Sequence, residues 1–297
     1  MSHSHHHHSH NDNQKNLKLA FFLNLGFALI EIIGGILTNS ISIAADALHD
    51  LGDSITLAVS WRLEKISDRK GDHKFSYGYK RFSLLSALIG AIILVTGVGF
   101  VIVESINRIR FPQPSNARGM LVLALLGIAI NGAAALRAGK GKNLNSQIIY
   151  WHLMEDALGW AAVLVVSVIL LFWDIQILDP SLSIILSAFV LFNVGKNLKK
   201  TITLFLQGVP EDIDANEIKV ILMKDENVEE IHHTHLWSLD GEHHVLTTHI
   251  VLCQETKKED IRRIKKKIKD ISSEYDIAHT TVEFEYVEGD CSMSTTQ

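Results

Sequence analysis

The chain has 297 residues, of which 47% are hydrophobic and only four are proline, and its mean hydropathy of +0.18 is high for a soluble protein of this size. A formal net charge of −5 gives no basis for nucleic-acid binding. Two cysteines, Cys253 and Cys291, stand too far apart for a CxxC pair and argue against a disulfide framework or a thiolate zinc site, so any metal is expected on nitrogen and oxygen.

In chain order, the first sixteen residues, MSHSHHHHSHNDNQKN, are polar and lack the apolar core of a signal peptide. They read as a disordered, native, His-rich tail (1–16) that holds metal loosely. Apolar stretches near the length of about 20 residues that a bilayer requires follow at Leu17 to Leu37, Phe82 to Val103, Met120 to Leu136, Trp151 to Trp173 and Ile177 to Val194. A sixth, Ile41 to Trp61, contains Asp46, His49, Asp50 and Asp53, yet a two-span hairpin through Thr38 to Ser40 accounts for this region better than a long loop. The reading is an all-α, six-helix transmembrane domain over residues 17–207. Basic residues cluster after the second span (Arg62 to Arg81), in the fourth connection (Arg137, Lys140, Lys142) and at the end of the sixth (Lys196, Lys199, Lys200), which puts both termini in the cytoplasm of a multi-pass cell-membrane protein. Arg108, Arg110 and Arg118 run against that trend.

From 208 to 297 charge becomes dense. The pattern there predicts helix (Ala215 to Lys224), strand (Val228 to Leu239), strand (His243 to Cys253), helix (Lys257 to Glu274) and strand (Ile277 to Val287), with Asp240-Gly241 as a hairpin turn. Ile261, Ile264, Ile268 and Ile271 fall on one face of the second helix. This order suggests a small two-layer α+β domain.

Ionisable groups at membrane depth cost about 2.5–3.5 kcal/mol each, so several in one span require a use. The second span carries His49 and Asp53, the fifth His152 and Asp156, and both pairs have the spacing HxxxD. Residues i and i+4 share a helix face, so two such spans facing each other offer two imidazoles and two carboxylates, a donor set suited to tetrahedral Zn2+. Asp46 reads as an entrance or water-cavity group, while Asp50 and Glu155 point off the shared face and stay unassigned. Glu31 and Asn131 are expected to face the bundle interior, with Asn131 satisfied by inter-helix hydrogen bonds. No HExxH helix and no GxxxxGK[ST] loop occurs, which argues against an enzyme and against ATP as the energy source and leaves an ion gradient.

The stretches ADALHDLGDS, WHLMEDALGW, YGYKR, the LDP at 178–180 and HHTHLWSL together resemble the cation diffusion facilitator family, in its bacterial zinc, cobalt and cadmium resistance branch. The resemblance implies a homodimer that exchanges cytoplasmic metal for external protons, with a ferredoxin-like cytoplasmic tail for metal sensing and dimerisation. It implies Zn2+ as cargo and regulator, with Cd2+ and Co2+ as further substrates, and His49, Asp53, His152 and Asp156 as the transport site. Some members carry an extra site of one Asp and two His after the second span; here Phe75 and Tyr79 stand where those histidines would fall, leaving Asp72 and His73. Tail ligands carried over by the resemblance are His232 or His235, His249 and Glu285, with Glu283 nearby. Glu283 and Glu285 share a strand face, and His233, His243, His244 and His279 are expected to be solvated. The rival readings are a membrane-anchored metal sensor or store without transport, and an exporter of organic cations.

Overall fold

The computed structural model describes residues 9–139, 144–286 and 291, with side chains from Phe21 onward except at 23, 144–146 and 148. Two compact units form, one from residues up to Trp61 with Ile89–Asn197, the other from Arg62–Leu88 with residues from Leu198 onward.

The first unit is built on long helices: α1 (Ser9–Thr38), α2 (Ile41–Ser67), α3 (Phe82–Arg110), α4 (Ala117–Ala138), α5 (Leu144–Phe172) and α6 (Leu178–Phe205). Ser9 to Asn16, expected as part of a disordered tail, extend α1 instead; residues 1–8, with most of the His-rich tract, lie outside the described residues. Among the described residues, α3, α4, α5 from Ile149 and α6 are long and apolar enough to cross a membrane. Their large apolar side chains, Phe100, Val122 and Phe192 among them, point outward, while Ser42, Ser105, Ser183 and Ser187 are buried. This inverts the pattern of a water-soluble bundle, as lipid on the outside and small polar residues between helices require.

Close helix contacts fix the unit's interior. Trp160 of α5 lies buried with Ile43, Met120 and Leu182, and a Cβ at Gly127 of α4 would overlap its ring. Asn24 of α1 donates to the Asp50 carbonyl at 3.0 Å and approaches the Ser54 hydroxyl at 3.2 Å, tying α1 to the polar stretch of α2. Asn131 is buried as expected, but its amide nitrogen has no hydrogen-bond partner, so the expected inter-helix bond is not made by that atom.

The α1–α2 turn is held by Asp179 in the first turn of α6. Its carboxylate, 1% exposed, accepts from the Ser40 hydroxyl and the Ile41 amide at 2.7 Å, and from the hydroxyl and amide of Ser42. The negative charge thus caps the amino-terminal, dipole-positive end of α2. Arg108 donates to the Asn39 carbonyl at 2.8 Å and to Glu104 at 3.1 Å, which gives this basic residue a structural task. Asp179→Ala would orphan four donors, so a loss of about 2–4 kcal/mol is expected. The check is the thermal midpoint in detergent: it should fall clearly for Asp179→Ala and less for Asp179→Asn, and an unchanged midpoint would count against the cap.

In the second unit α7 (Ala215–Met223), β1 (Val228–Ser238), β2 (His244–Leu252), α8 (Lys258–Glu274) and β3 (Ile277–Glu285) follow in the expected order. The sheet runs β1-β2-β3, antiparallel between β1 and β2 and parallel between β2 and β3. A parallel neighbour needs a crossover, and α8 supplies it. Ile264, Ile268 and Ile271 of α8 are buried against Ile231, Leu246 and Ile250 of the sheet's core. At the hairpin, Gly241 adopts φ +103°, open to glycine, while Asp240 accepts from the amides of Glu242 and His243 at 2.9 and 2.8 Å.

Candidate metal centres

Helix periodicity stacks each HxxxD pair on its own helix, and packing brings the two pairs together. His49 Nε2 lies 3.8 Å from Asp53 Oδ2, the same oxygen lies 3.7 Å from His152 Nε2, and His152 Nε2 lies 3.8 Å from Asp156 Oδ2. The two imidazole rings meet edge to face at 6.4 Å between centroids. Nitrogen and oxygen bound to one tetrahedral zinc sit about 3.4 Å apart, and each of these three pair distances is within a few tenths of an ångström of that value. His49 Nδ1 is buried with no hydrogen-bond partner.

Asp50 is the residue that spacing missed. Its carboxylate is buried, and it offers an oxygen within 4.8 Å of donor atoms on both His49 and Asp156. The expectation that it points away treats α2 as an isolated helix; packing encloses more than one face. Asp46 and Glu155 line, with His49 and Asp156, a cavity of about 400 Å³ whose other walls include Leu94 and Val190. Glu155 also accepts from Asn193 at 3.3 Å. Glu31 of α1 is fully buried and interacts with Asp46, Asp50 and Asp156, adding a further acid to this region.

Asp72 and His73 are placed differently. Asp72 accepts from the amides of Lys74 and Phe75 at 2.8 and 2.9 Å and from the Tyr79 hydroxyl at 2.6 Å. The Tyr79 bond, with the two amides, holds its carboxyl below the usual range. His73 is exposed, and among the described residues neither joins a group of three or more potential ligands.

A second cluster forms on the sheet. The register sets His232 of β1 opposite His249 of β2, and His249 beside Glu283 of β3. His249 Nδ1 contacts Glu285 Oε1 at 2.6 Å, its Nε2 lies 3.6 Å from Glu283 Oε2, and His232 Nε2 lies 3.1 Å from Glu285 Oε2. Burial pushes the Glu285 carboxyl up, but the His249 hydrogen bond and the His232 charge outweigh it and hold the group below its ordinary value. His235 is exposed and pairs with Thr247, one rung pair away from the cluster. A bulge between His232 and His235, with His233 at φ +46°, separates them. The same bulge brings the His233 ring to 5.3 Å from that of His249, so His233 is not simply solvated. His244 is buried and His243 pairs with Asp240 at 2.8 Å, whereas His279 is exposed as expected and meets the Tyr77 ring edge to face at 5.1 Å.

A thiol, not expected at a metal site, stands beside these groups. Cys291 Sγ lies 3.6 Å from His249 Nδ1, and donor atoms of His232, His249, Glu285 and Cys291 all fall within 4.8 Å of one another.

Residues 17–206 match the family described as the cation efflux transmembrane domain, and residues 210–287 match the cation efflux protein cytoplasmic domain. The chain belongs to the cation efflux family. Its cation efflux relatives include the "cadmium, cobalt and zinc/H(+)-K(+) antiporter" of Bacillus velezensis, 32% identical over 92% of this chain and 88% of the relative. The "metal cation efflux system protein CzcD" of Cupriavidus metallidurans is 29% identical over 92% and 86%. The "zinc transporter ZitB" of Pectobacterium atrosepticum is 31% identical over 92% and 85%. As a cation efflux chain with apolar spanning helices, this is a multi-pass membrane protein.

Proposed function

We propose that the protein exports Zn2+ from the cytoplasm in exchange for protons, as a homodimer of six-span subunits in the cell membrane with both termini cytoplasmic. Cd2+ and Co2+ are further substrates, in line with the names carried by its relatives. The observation that carries the reading is the continuous set of contacts His49–Asp53–His152–Asp156, none longer than 3.8 Å, beside a cavity between otherwise apolar helices. Cytoplasmic metal enters past Asp46 and binds the four groups. Binding requires neutral imidazole and ionised carboxylate, so protons leave as metal arrives. Rocking of the bundle then exposes the site outside, and reprotonation releases the ion.

The tail, read as a ferredoxin-like sensing and dimerisation domain, binds regulatory Zn2+ through His232, His249 and Glu285, with Glu283 at the rim. A membrane-anchored sensor or store would need the tail cluster alone, and would leave four ionisable groups on α2 unexplained at an insertion cost of roughly 10 kcal/mol. The test is zinc uptake into dye-loaded proteoliposomes. Uptake that an imposed pH gradient drives supports antiport; metal binding with no flux overturns it in favour of the sensor.

A further inference from the structure

We propose that Cys291 is a thiolate ligand of the tail's metal centre, completing a four-coordinate site of two histidines, one glutamate and one cysteine. That donor set is softer than the two histidines and two aspartates between α2 and α5. The proposal rests on the reading of the tail cluster as a metal centre and names the ligand that completes it. Zn–N and Zn–S bonds of about 2.1 and 2.3 Å at the tetrahedral angle separate nitrogen from sulfur by about 3.6 Å. Cys291 Sγ and His249 Nδ1 stand 3.6 Å apart. The four donors lie within 4.8 Å of one another and come from β1, β2, the end of β3 and the chain beyond it.

Two atoms of the cluster lack a hydrogen-bond partner in a way that points to a cation. Glu285 Oε2 and His232 Nε2 are both buried with no hydrogen bond, although they approach to 3.1 Å. The Glu285 side chain is 3% exposed. An acceptor and a ring nitrogen that meet without a hydrogen bond are satisfied together by a positive ion between them. Cys253 makes a useful contrast: its Sγ lies 3.5 Å from the Glu226 carbonyl and interacts with Glu229, and it belongs to no donor cluster among the described residues.

A thiolate and a carboxylate together neutralise a divalent ion, and binding releases the thiol proton to solvent. Sulfur selects for Zn2+ and Cd2+ over harder divalent ions, so the tail holds thiophilic metals rather than any divalent cation that reaches the cytoplasm.

The test uses the full-length protein in detergent, loaded with Co2+ as a spectroscopic stand-in. A thiolate bound to Co2+ gives a near-ultraviolet sulfur-to-metal charge-transfer band that the sulfur-free site between the helices cannot produce. The band is expected in the wild type and in Cys253→Ser, is lost in Cys291→Ser, and disappears from the wild type on adding Zn2+. Persistence of the band in Cys291→Ser overturns the assignment. A wild type without the band, but with Co2+ binding that His249→Ala reduces, overturns the cysteine while leaving a centre of two histidines and a glutamate intact. Co2+ binding that is indifferent to His249→Ala removes the centre as well.

Discussion

Asp53→Ala is expected to reduce zinc flux to the level of protein-free vesicles while the protein inserts and folds normally. Among the described residues, Asp53 Oδ2 is the carboxylate oxygen that forms a pair within 4 Å with both imidazoles, 3.8 Å from His49 and 3.7 Å from His152. It joins the half-site on α2 to the half-site on α5, and without it neither helix offers more than part of a coordination sphere. Insertion does not suffer, because removing an ionisable group from a span relieves about 2.5–3.5 kcal/mol of cost. The cytoplasmic cluster lies in the other unit and keeps its ligands. Flux and size-exclusion profile are measured on the same preparation. Zinc transport at the wild-type rate by a well-folded Asp53→Ala protein would remove Asp53 from the site.

His49→Asp is expected to raise the ratio of cadmium to zinc transport while zinc transport survives. The substitution exchanges a fixed ring nitrogen for a carboxylate that binds through one oxygen or two, and the shorter side chain leaves room beside a cavity of about 400 Å³. Cd2+, the larger ion, gains more from both changes. Ligand type and geometry set such preferences rather than raw affinity. Initial rates for each ion, alone and in competition at a fixed pH gradient, read the ratio directly. An unchanged ratio would mean that His49 does not set selectivity, and Asp50, whose buried carboxylate reaches the same donors, would be the next ligand to test.

What the sequence conveyed was whatever depends on local period. The i, i+4 rule put His49 over Asp53 and His152 over Asp156, the Asp240-Gly241 pair marked its hairpin, and the isoleucine spacing found the buried face of α8. Features created by packing stayed out of reach. Asp50 enters the site only because α2 is enclosed on more than one side. The bulge at His233 moves His235 out of the tail cluster, and nothing in HHTH announces a positive φ. Cys291 stands 42 residues from His249 and reaches it only once the chain has passed β3. Asp179 reads in sequence as one acid at a helix start; its grip on the α1–α2 turn depends on a neighbour more than 130 residues earlier.

Zinc that crosses through the α2–α5 site in exchange for protons must carry a coupled proton signal with it. The direct measurement follows zinc and internal pH at once in the same proteoliposomes, for the wild type and for Asp53→Ala. Zinc entering wild-type vesicles is expected to be matched by protons leaving in a fixed ratio, and both signals are expected to vanish together in the variant. Zinc entry with no proton movement, or paired fluxes that persist in Asp53→Ala, would contradict exchange through that site.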